Sequence, residues 1–365
     1  MKKLACLLSL TLAVSLSCSG DDGGGEEFMI ERLSRLALSG SLTDVWGYMD
    51  DATSKEYAIV GFGLFLPSSD PNSGFHIVDV TDTSNPVLVA TVSTAPGFDV
   101  KVWQNYVYAV DGRSTGDGAI VDISNPSAPV VVGTFPSSHN VFISSTGFMF
   151  QAFDGQPNRI SNLNIDPKNP VQIWKGGSGS HDSAVIGNRW YDFSSSSSTN
   201  IYDVTDPLAP RLLSTIDSPD IALHHSGWPT EDGRFLFICD ELADSQSKPA
   251  DFTVWDISDL NDPTKVGEFA DQSATVHNLY IIGDFAYVAY YNAGFRVFDV
   301  SDPAKPTLVD EFDTSAESGS GFDGAFGVYP FAPSGNIYVS DKRSGLNVFS
   351  FGGLQPSSST NLLAP

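Results

Sequence analysis

Cysteine is scarce in this chain: Cys6, Cys18 and Cys239 are the only three among 365 residues. Two of them lie within or at the end of a leader-like N-terminus, so no disulfide framework can hold the remainder together. Cys239, in FLFIC, reads as a small buried hydrophobe. Cations are few as well. Nineteen Lys and Arg face 44 Asp and Glu, a formal charge of −25. That balance excludes a protein that grips nucleic acid backbones and repels anionic membranes, while favouring cation binding. The one long apolar run, LACLLSLTLAVSL at residues 4–16, is too short for a comfortable membrane helix. Histidine is limited to six positions. Walker, dinucleotide-binding, CxxC, EF-hand and G-x-S-x-G patterns are absent, which removes their enzyme and calcium-sensor classes.

The N-terminus reads as a targeting segment. Lys2 and Lys3 precede the apolar run, and SLSC ends it at Cys18. This is similar to a bacterial lipoprotein signal. It implies a signal peptide over 1–17, a lipid on Cys18 and a flexible acidic tether over 18–28, most of it the run SGDDGGGEE. An ordinary secretory peptide cut nearby is the alternative. Either way the chain is exported, and the lipid would be its only membrane contact. In some Gram-negative groups an acidic run after the lipidated cysteine marks the outer surface, and this run looks similar.

Hydrophobic residues make up 41% of the chain, enough for a large core, and 33 Gly with 22 Pro point to many short strands and tight turns. One phrase recurs. FHIVDVTDTSNPVLVATV starts at Phe75, AIVDISNPSAPVVVGTF at Ala119, NIYDVTDPLAPRLLSTI at Asn200, FTVWDISDLNDPTKVGEF at Phe252 and FRVFDVSDPAKPTLVDEF at Phe295. A degenerate copy, ISNLNIDPKNPVQIW, starts at Ile160. Each copy is an apolar strand, an Asp, a Pro-containing turn and a second apolar strand. Proline cannot donate to a ladder, so its place in the turn is positional. The turn acids Asp79, Asp122, Asp203, Asp256 and Asp299 are expected to bond nearby backbone N–H groups rather than calcium. Two further strands precede each phrase. Four short strands per unit are the signature of a propeller blade. The expected fold is all-β, a seven-bladed β-propeller over 29–352. The last unit supplies three strands, and the segment 30–40 is expected to close the ring as its fourth. Residues 353–365 read as a disordered tail, and the serine run FSSSSSTN at 193–200 as a flexible loop.

FRVFDVSDPAKPTLV resembles the LVIVD repeat, a propeller repeat of secreted and surface bacterial proteins. DVWGY (44–48), SHNVFI (138–143), SHDSAV (180–185), HSGWPTEDGRFLFICDE (225–241) and GVYPFAPSGNIYVSD (327–341) stand in the order seen in the choice-of-anchor B family. That resemblance implies a propeller displayed at the cell surface through one of several anchors. It implies no catalytic activity.

The blades' first strands can be aligned at their entries. The second position then reads Asp44, Asp99, His139, His181, His225, His277 and Gly324. Only His76 and His224 fall outside this column, and His224 is expected to face solvent or an adjoining loop. The ends of the second strands add Asp111, Asp154, Asp192, Asp240, Glu241 and Asp341 to the same channel face. Three readings compete. Asp44, Asp99, His139, His181, His225 and His277 hold a divalent transition metal, which imidazoles with carboxylates suit better than calcium. Asp182, Asn140 and Asn278 are then the expected partners of the histidines' other nitrogens. Alternatively the histidines pin one blade to the next, or they form a metal-free acid–base or ligand site. The preferred reading is a monomeric binding module that presents this face to a protein or glycan. A metal-dependent hydrolase or oxidase at the same site is the alternative. Trp46, Trp103 and Trp228 read as packing between blades rather than a sugar platform. The loop 62–74 is placed to overhang the channel.

Overall fold

A computed structural model describes residues 29–352 apart from 67–69, 178, 244–245, 249 and 317. The signal segment, Cys18, the tether and the tail therefore lie outside the described residues. Strands β1 to β28, numbered in chain order, form seven four-stranded antiparallel sheets. Among the described residues, no helix is long and apolar enough to cross a membrane.

Six sheets run in simple chain order, and their first strands line the axis: β2 (Leu42–Asp50), β6 (Asp99–Trp103), β10 (Asn140–Ile143), β14 (Asp182–Ile186), β18 (Ser226–Pro229) and β22 (Leu279–Ile282). Each of these touches the next, and β26 (Ala325–Tyr329) of the seventh sheet touches β2, so the ring closes. That seventh sheet has the order β1-β28-β27-β26, with β27 at Ile337–Asp341. Strand β1 (Ile30–Leu36) pairs antiparallel with β28 (Gly345–Phe351), Ile30 lying opposite Phe351. The N-terminal strand thus closes the ring as expected, although it stops at Leu36. It also grips the neighbouring blade: the Ile30 N–H donates to Asp310 at 2.7 Å and the Arg32 guanidinium lies 4.8 Å from the Phe312 ring.

The repeated phrase explains the blades' regularity. Asp79, Asp122, Asp203, Asp256 and Asp299 each accept the N–H two residues on, at 2.9–3.1 Å. Asn162 does the same in the degenerate copy. These acids are engaged in turns, as their sequence context predicts. Just before each turn the register slips, at Ile77/Val78, Ile120/Val121, Ile160/Ser161, Ile201/Tyr202, Val254/Trp255 and Val297/Phe298. A bulge at the same place in six blades increases the twist of each outer strand. Between the blades lies a mainly aliphatic and aromatic core. Trp228 is 1% exposed and packs on Phe142, Tyr280 and Phe331, and Trp46 packs on Tyr329. These two tryptophans are inter-blade packing, and neither is a sugar platform.

The serine run differs from its reading as a loop. Residues up to Ser194 and from Ser198 belong to strands β15 (Arg189–Ser194) and β16 (Ser198–Asp203), which leaves a tight turn. The hydroxyls find local partners: Ser197 donates to the Ser194 carbonyl at 2.6 Å, and Thr199 bonds His224 at 2.8 Å.

Candidate functional site

One main-chain bond places a histidine at the same spot in four consecutive blades. The N–H of His139 donates to Ala152, that of His181 to Phe193, that of His225 to Cys239 and that of His277 to Ala289, at 2.7–3.1 Å. In blade two the equivalent bond runs from Phe98 to Val110 at 2.9 Å. Phe98 therefore occupies the column position, and the alignment that put Asp99 there is one residue out. Asp99 pairs with Val110 as Asn140 pairs with Ala152, Asp182 with Phe193 and Ser226 with Cys239. Blade seven has no side chain at the column for a steric reason. Gly324 has φ +85°, and a Cβ there would lie 2.2 Å from the Tyr291 carbonyl oxygen. Its place is taken by Phe326.

The result is a closed circle of six rings. Centroids are 4.0 Å apart for His139–His181, 4.7 Å for His181–His225 and 4.7 Å for His225–His277. The circle continues through His277–Phe326 at 4.2 Å, Phe326–Phe98 at 5.8 Å and Phe98–His139 at 5.0 Å. These rings line a cavity of about 220 Å³ together with Leu64, Phe65, Tyr291, Phe322 and Lys342. The 62–74 loop thus overhangs the mouth through Leu64 and Phe65, as expected.

Main-chain carbonyls set the tautomers of two of these rings. His139 Nδ1 donates to Gly112 O at 2.7 Å, and His277 Nδ1 donates to Phe326 O at 2.5 Å. A carbonyl can only accept, so in the neutral ring Nε2 is left with a lone pair. Burial holds His139 down to about 4, helped by the charge of His181, and burial holds His277 down to about 3. His225 is also pushed well below the ordinary range by burial and by its neighbouring histidines. His181 differs. Burial would lower it, but its hydrogen bond and ion pair with Asp154, with the charges of Glu241 and Asp182, outweigh that and raise it.

Two of the six acids join the histidines. Asp154 lies 3.3 Å from His139 and 3.4 Å from His181. Glu241 lies 3.6 Å from His225 Nε2 and 3.9 Å from His277 Nε2, and it accepts the Tyr291 hydroxyl. Two three-residue sets have the spacing to hold a metal: His139, Asp154 and His181, and His181, His225 and Glu241, with donor atoms within 4.8 Å of one another.

The other four acids are turned to structural work. Asp111 accepts from Ser137 at 2.7 Å, Asp192 from Ser194 at 3.2 Å, Asp240 from the Ala222 and Leu223 N–H groups at 2.5 and 3.0 Å, and Asp341 from Thr314 at 2.8 Å. Asp111, Asp240 and Asp341 thereby pin loops between strands of the ring. Asp44 and Asp99 also line the cavity, but a cation already holds them. Lys101 lies 2.6 Å from Asp44 and bonds Asp99 as well, with the lysine side chain and both carboxylates 5% exposed. Burial opposes the Lys101 charge, and the two carboxylates overcome it and raise the lysine above its ordinary value.

The expected partners of the second imidazole nitrogens are not the ones used. Asn140 and Asn278 line the cavity, yet their Oδ1 atoms are buried with no hydrogen-bond partner, and Asp182 accepts the Ser183 N–H at 2.6 Å. Burial and the charge of Asp99 push Asp182 up to about 7. His224 does not face solvent. It is 1% exposed, bridged to Ser195 and bonded to Thr199. His76 is likewise buried, donating from Nε2 to Ser39 O at 2.9 Å.

Lys101, Tyr291, Lys342 and Phe98 were not legible as site residues. Lys101 and Phe98 carried a signal, since both flank Asp99 in the blade-two entry. Tyr291 and Lys342 sit just past the ends of second strands, beside the more conspicuous acids.

The LVIVD repeat family matches residues 69–94, 98–136 and 275–314. No curated protein matches the chain. Among solved structures, the β-propeller domain of Cps50 (Swd1) from Myceliophteria thermophila is similar, with a TM-score of 0.58 and 11% identity over 88% of this chain and 98% of that domain. At that identity the likeness speaks for the fold alone. The chain is a seven-bladed β-propeller built with LVIVD repeats.

Proposed function

We propose that this propeller is a binding module whose channel mouth holds a divalent transition metal, with His181, His225 and Glu241 as its main ligands and His139, His277 and Asp154 beside them. The observation that carries the reading is geometric: His181, His225 and Glu241 hold donor atoms within 4.8 Å of one another, amid adjoining imidazoles of which His139, His225 and His277 are held neutral by burial and His181 would give up its proton as the metal binds. Neutral imidazole is the form that binds metal, and a metal here would offset the buried carboxylate charge. The hydrogen bonds from His139 and His277 to main-chain carbonyls are the outer support that metal-binding histidines usually have. Asp44 and Asp99 drop out of the ligand set because Lys101 already occupies both. The lipoprotein-like N-terminus belongs to the same proposal: a lipid on Cys18 would tether the propeller outside the cytoplasm, with the mouth open to a partner.

The test is elemental analysis of untagged full-length protein after exposure to zinc, cobalt, nickel, copper, manganese and iron(II) in turn. About one equivalent of one metal is expected, lost in the His181→Ala, His225→Ala double variant while circular dichroism keeps its strand signature. No retained metal in the parent protein would leave the histidines as a pin between blades.

A further inference from the structure

We infer that the mouth is also a small-molecule site, and that its ligand is a single aromatic ring bearing one or two hydroxyl groups. Three observations converge on that class.

The first is the wall. On a chain with charge −25, this rim is apolar. Phe65 is 43% exposed and Phe322 47% exposed, and both line the cavity with Leu64, Phe98, Phe326 and Tyr291. Phe65 stacks on Phe98 at 4.8 Å, and Phe322 meets the Tyr291 edge at 5.4 Å. Aromatic walls with a few convergent polar groups are what small-molecule pockets present. The flat faces favour a flat guest, by offset or edge contact. The size agrees: a dry cavity of about 150 Å³ takes benzene, and this one measures about 220 Å³.

The second is strain. Phe65 has φ 55° and Tyr291 φ 35°. Bulky side chains avoid that region. Both strained aromatics line this same cavity. Tyr291 is held there by main-chain bonds to Ala325 and Gly294 at 2.9 Å, so the surrounding fold fixes it against the mouth.

The third is the floor. His139 and His277 donate from Nδ1 to the main chain, which leaves a lone pair on each Nε2, that of His277 3.9 Å from Glu241. Asn140 and Asn278 line the cavity, and no protein group satisfies their buried Oδ1 atoms. A floor of unfilled acceptors under apolar walls selects a guest that is apolar around its body and a hydrogen-bond donor at one edge. Phenolic hydroxyls fit that description. Benzene lacks the donor, and a carboxylate would bring a further acceptor against Glu241. Donation to Nε2 needs no metal, so this inference goes beyond the metal reading.

The probe is catechol, titrated into chelator-treated full-length protein and followed by calorimetry, with phenol, benzoate and 1,2-cyclohexanediol as comparisons. Binding of one catechol is expected, at least tenfold tighter than benzoate or the saturated diol. The Phe65→Ala, Phe322→Ala double variant, altered only at exposed rim positions, is expected to weaken it at least tenfold. Phe65→Leu, which keeps the apolar surface without the ring, is expected to fall between. Equal affinity for catechol and the saturated diol overturns the inference, as does no binding or an unchanged affinity in the double variant. Binding that appears only after metal is restored also overturns it, because the hydroxyl would then depend on the metal rather than on the imidazoles. Metal content measured on the same protein judges the metal reading separately.

Discussion

At the scale of single residues, Lys101 decides how the column divides. It sits two positions after Asp99 on a strand, so its side chain leaves on the same side as the aspartate. Its ammonium then lies between two carboxylates and 4.6 Å from the Trp46 ring. Buried charges of this kind tolerate company and not solitude. Removing one partner of a buried pair typically costs about 3–5 kcal/mol, because the other charge stays behind. Lys101→Met is therefore expected to lower unfolding stability by roughly that amount, and adding Asp44→Asn and Asp99→Asn should return a large part of it. Urea unfolding of the single and triple variants checks both steps, and a triple variant weaker than the single one would contradict the pairing. The sequence displayed the histidines and the two aspartates but not this lysine's role. Charge pairing across blades depends on which strands become neighbours, and a one-residue slip in one blade hid it. The slip has a cause: the blade-two entry GFDVKVW has a phenylalanine where four later blades have histidine, and its first polar residue, Asp99, stands one position on.

At the scale of elements, the repeated phrase was readable because each of its parts has a local reason. The Asp bonds a backbone N–H two residues on, and proline can only sit in the turn. The apolar alternation fixes which residues enter the core. The serine run was misread because composition alone does not show that Thr199 has His224 to bond, a partner 25 positions away. Closure of the ring was readable from arithmetic: three strands at one end and one spare strand at the other. Strand β1 contributes Ile30, 8% exposed, and it covers the edge of β28 from Leu346 to Phe351. An uncovered edge is a template for another chain. Deleting residues 29–37 is expected to lower the melting temperature by at least 5 °C and to produce concentration-dependent association through β28. Differential scanning calorimetry with light scattering tests this, and a monomer with parental stability would show that the seam is held elsewhere.

At the scale of the whole molecule, the mouth sits in a strongly negative field, from a net charge of −25. The inner residues soften it in two ways. Lys101 is paired with both Asp44 and Asp99, and burial raises Asp182, Asp192, Asp240 and Glu241. Surface ion pairs such as Lys55–Asp79, Arg211–Asp203 and Arg343–Asp323 offset only part of the excess acid, so like charges repel across the folded ring. Raising monovalent salt from 0.01 M to 0.15 M shortens the screening length from about 30 Å to about 8 Å. This should raise the melting temperature by about 1–2 °C, the shift that ~1 kcal/mol produces at about 2.1 cal/mol/K of unfolding entropy per residue in a propeller of this length. A metal at the mouth acts differently, by mass action. At a hundredfold excess over its dissociation constant it adds about 2.7 kcal/mol whatever the ionic strength. Micromolar transition metal should therefore raise the melting temperature on top of 0.15 M salt, where equimolar magnesium does nothing, and the rise should vanish in the His181→Ala, His225→Ala variant. Equal shifts from magnesium and the transition metal would mean that the ions act only by screening the acidic surface.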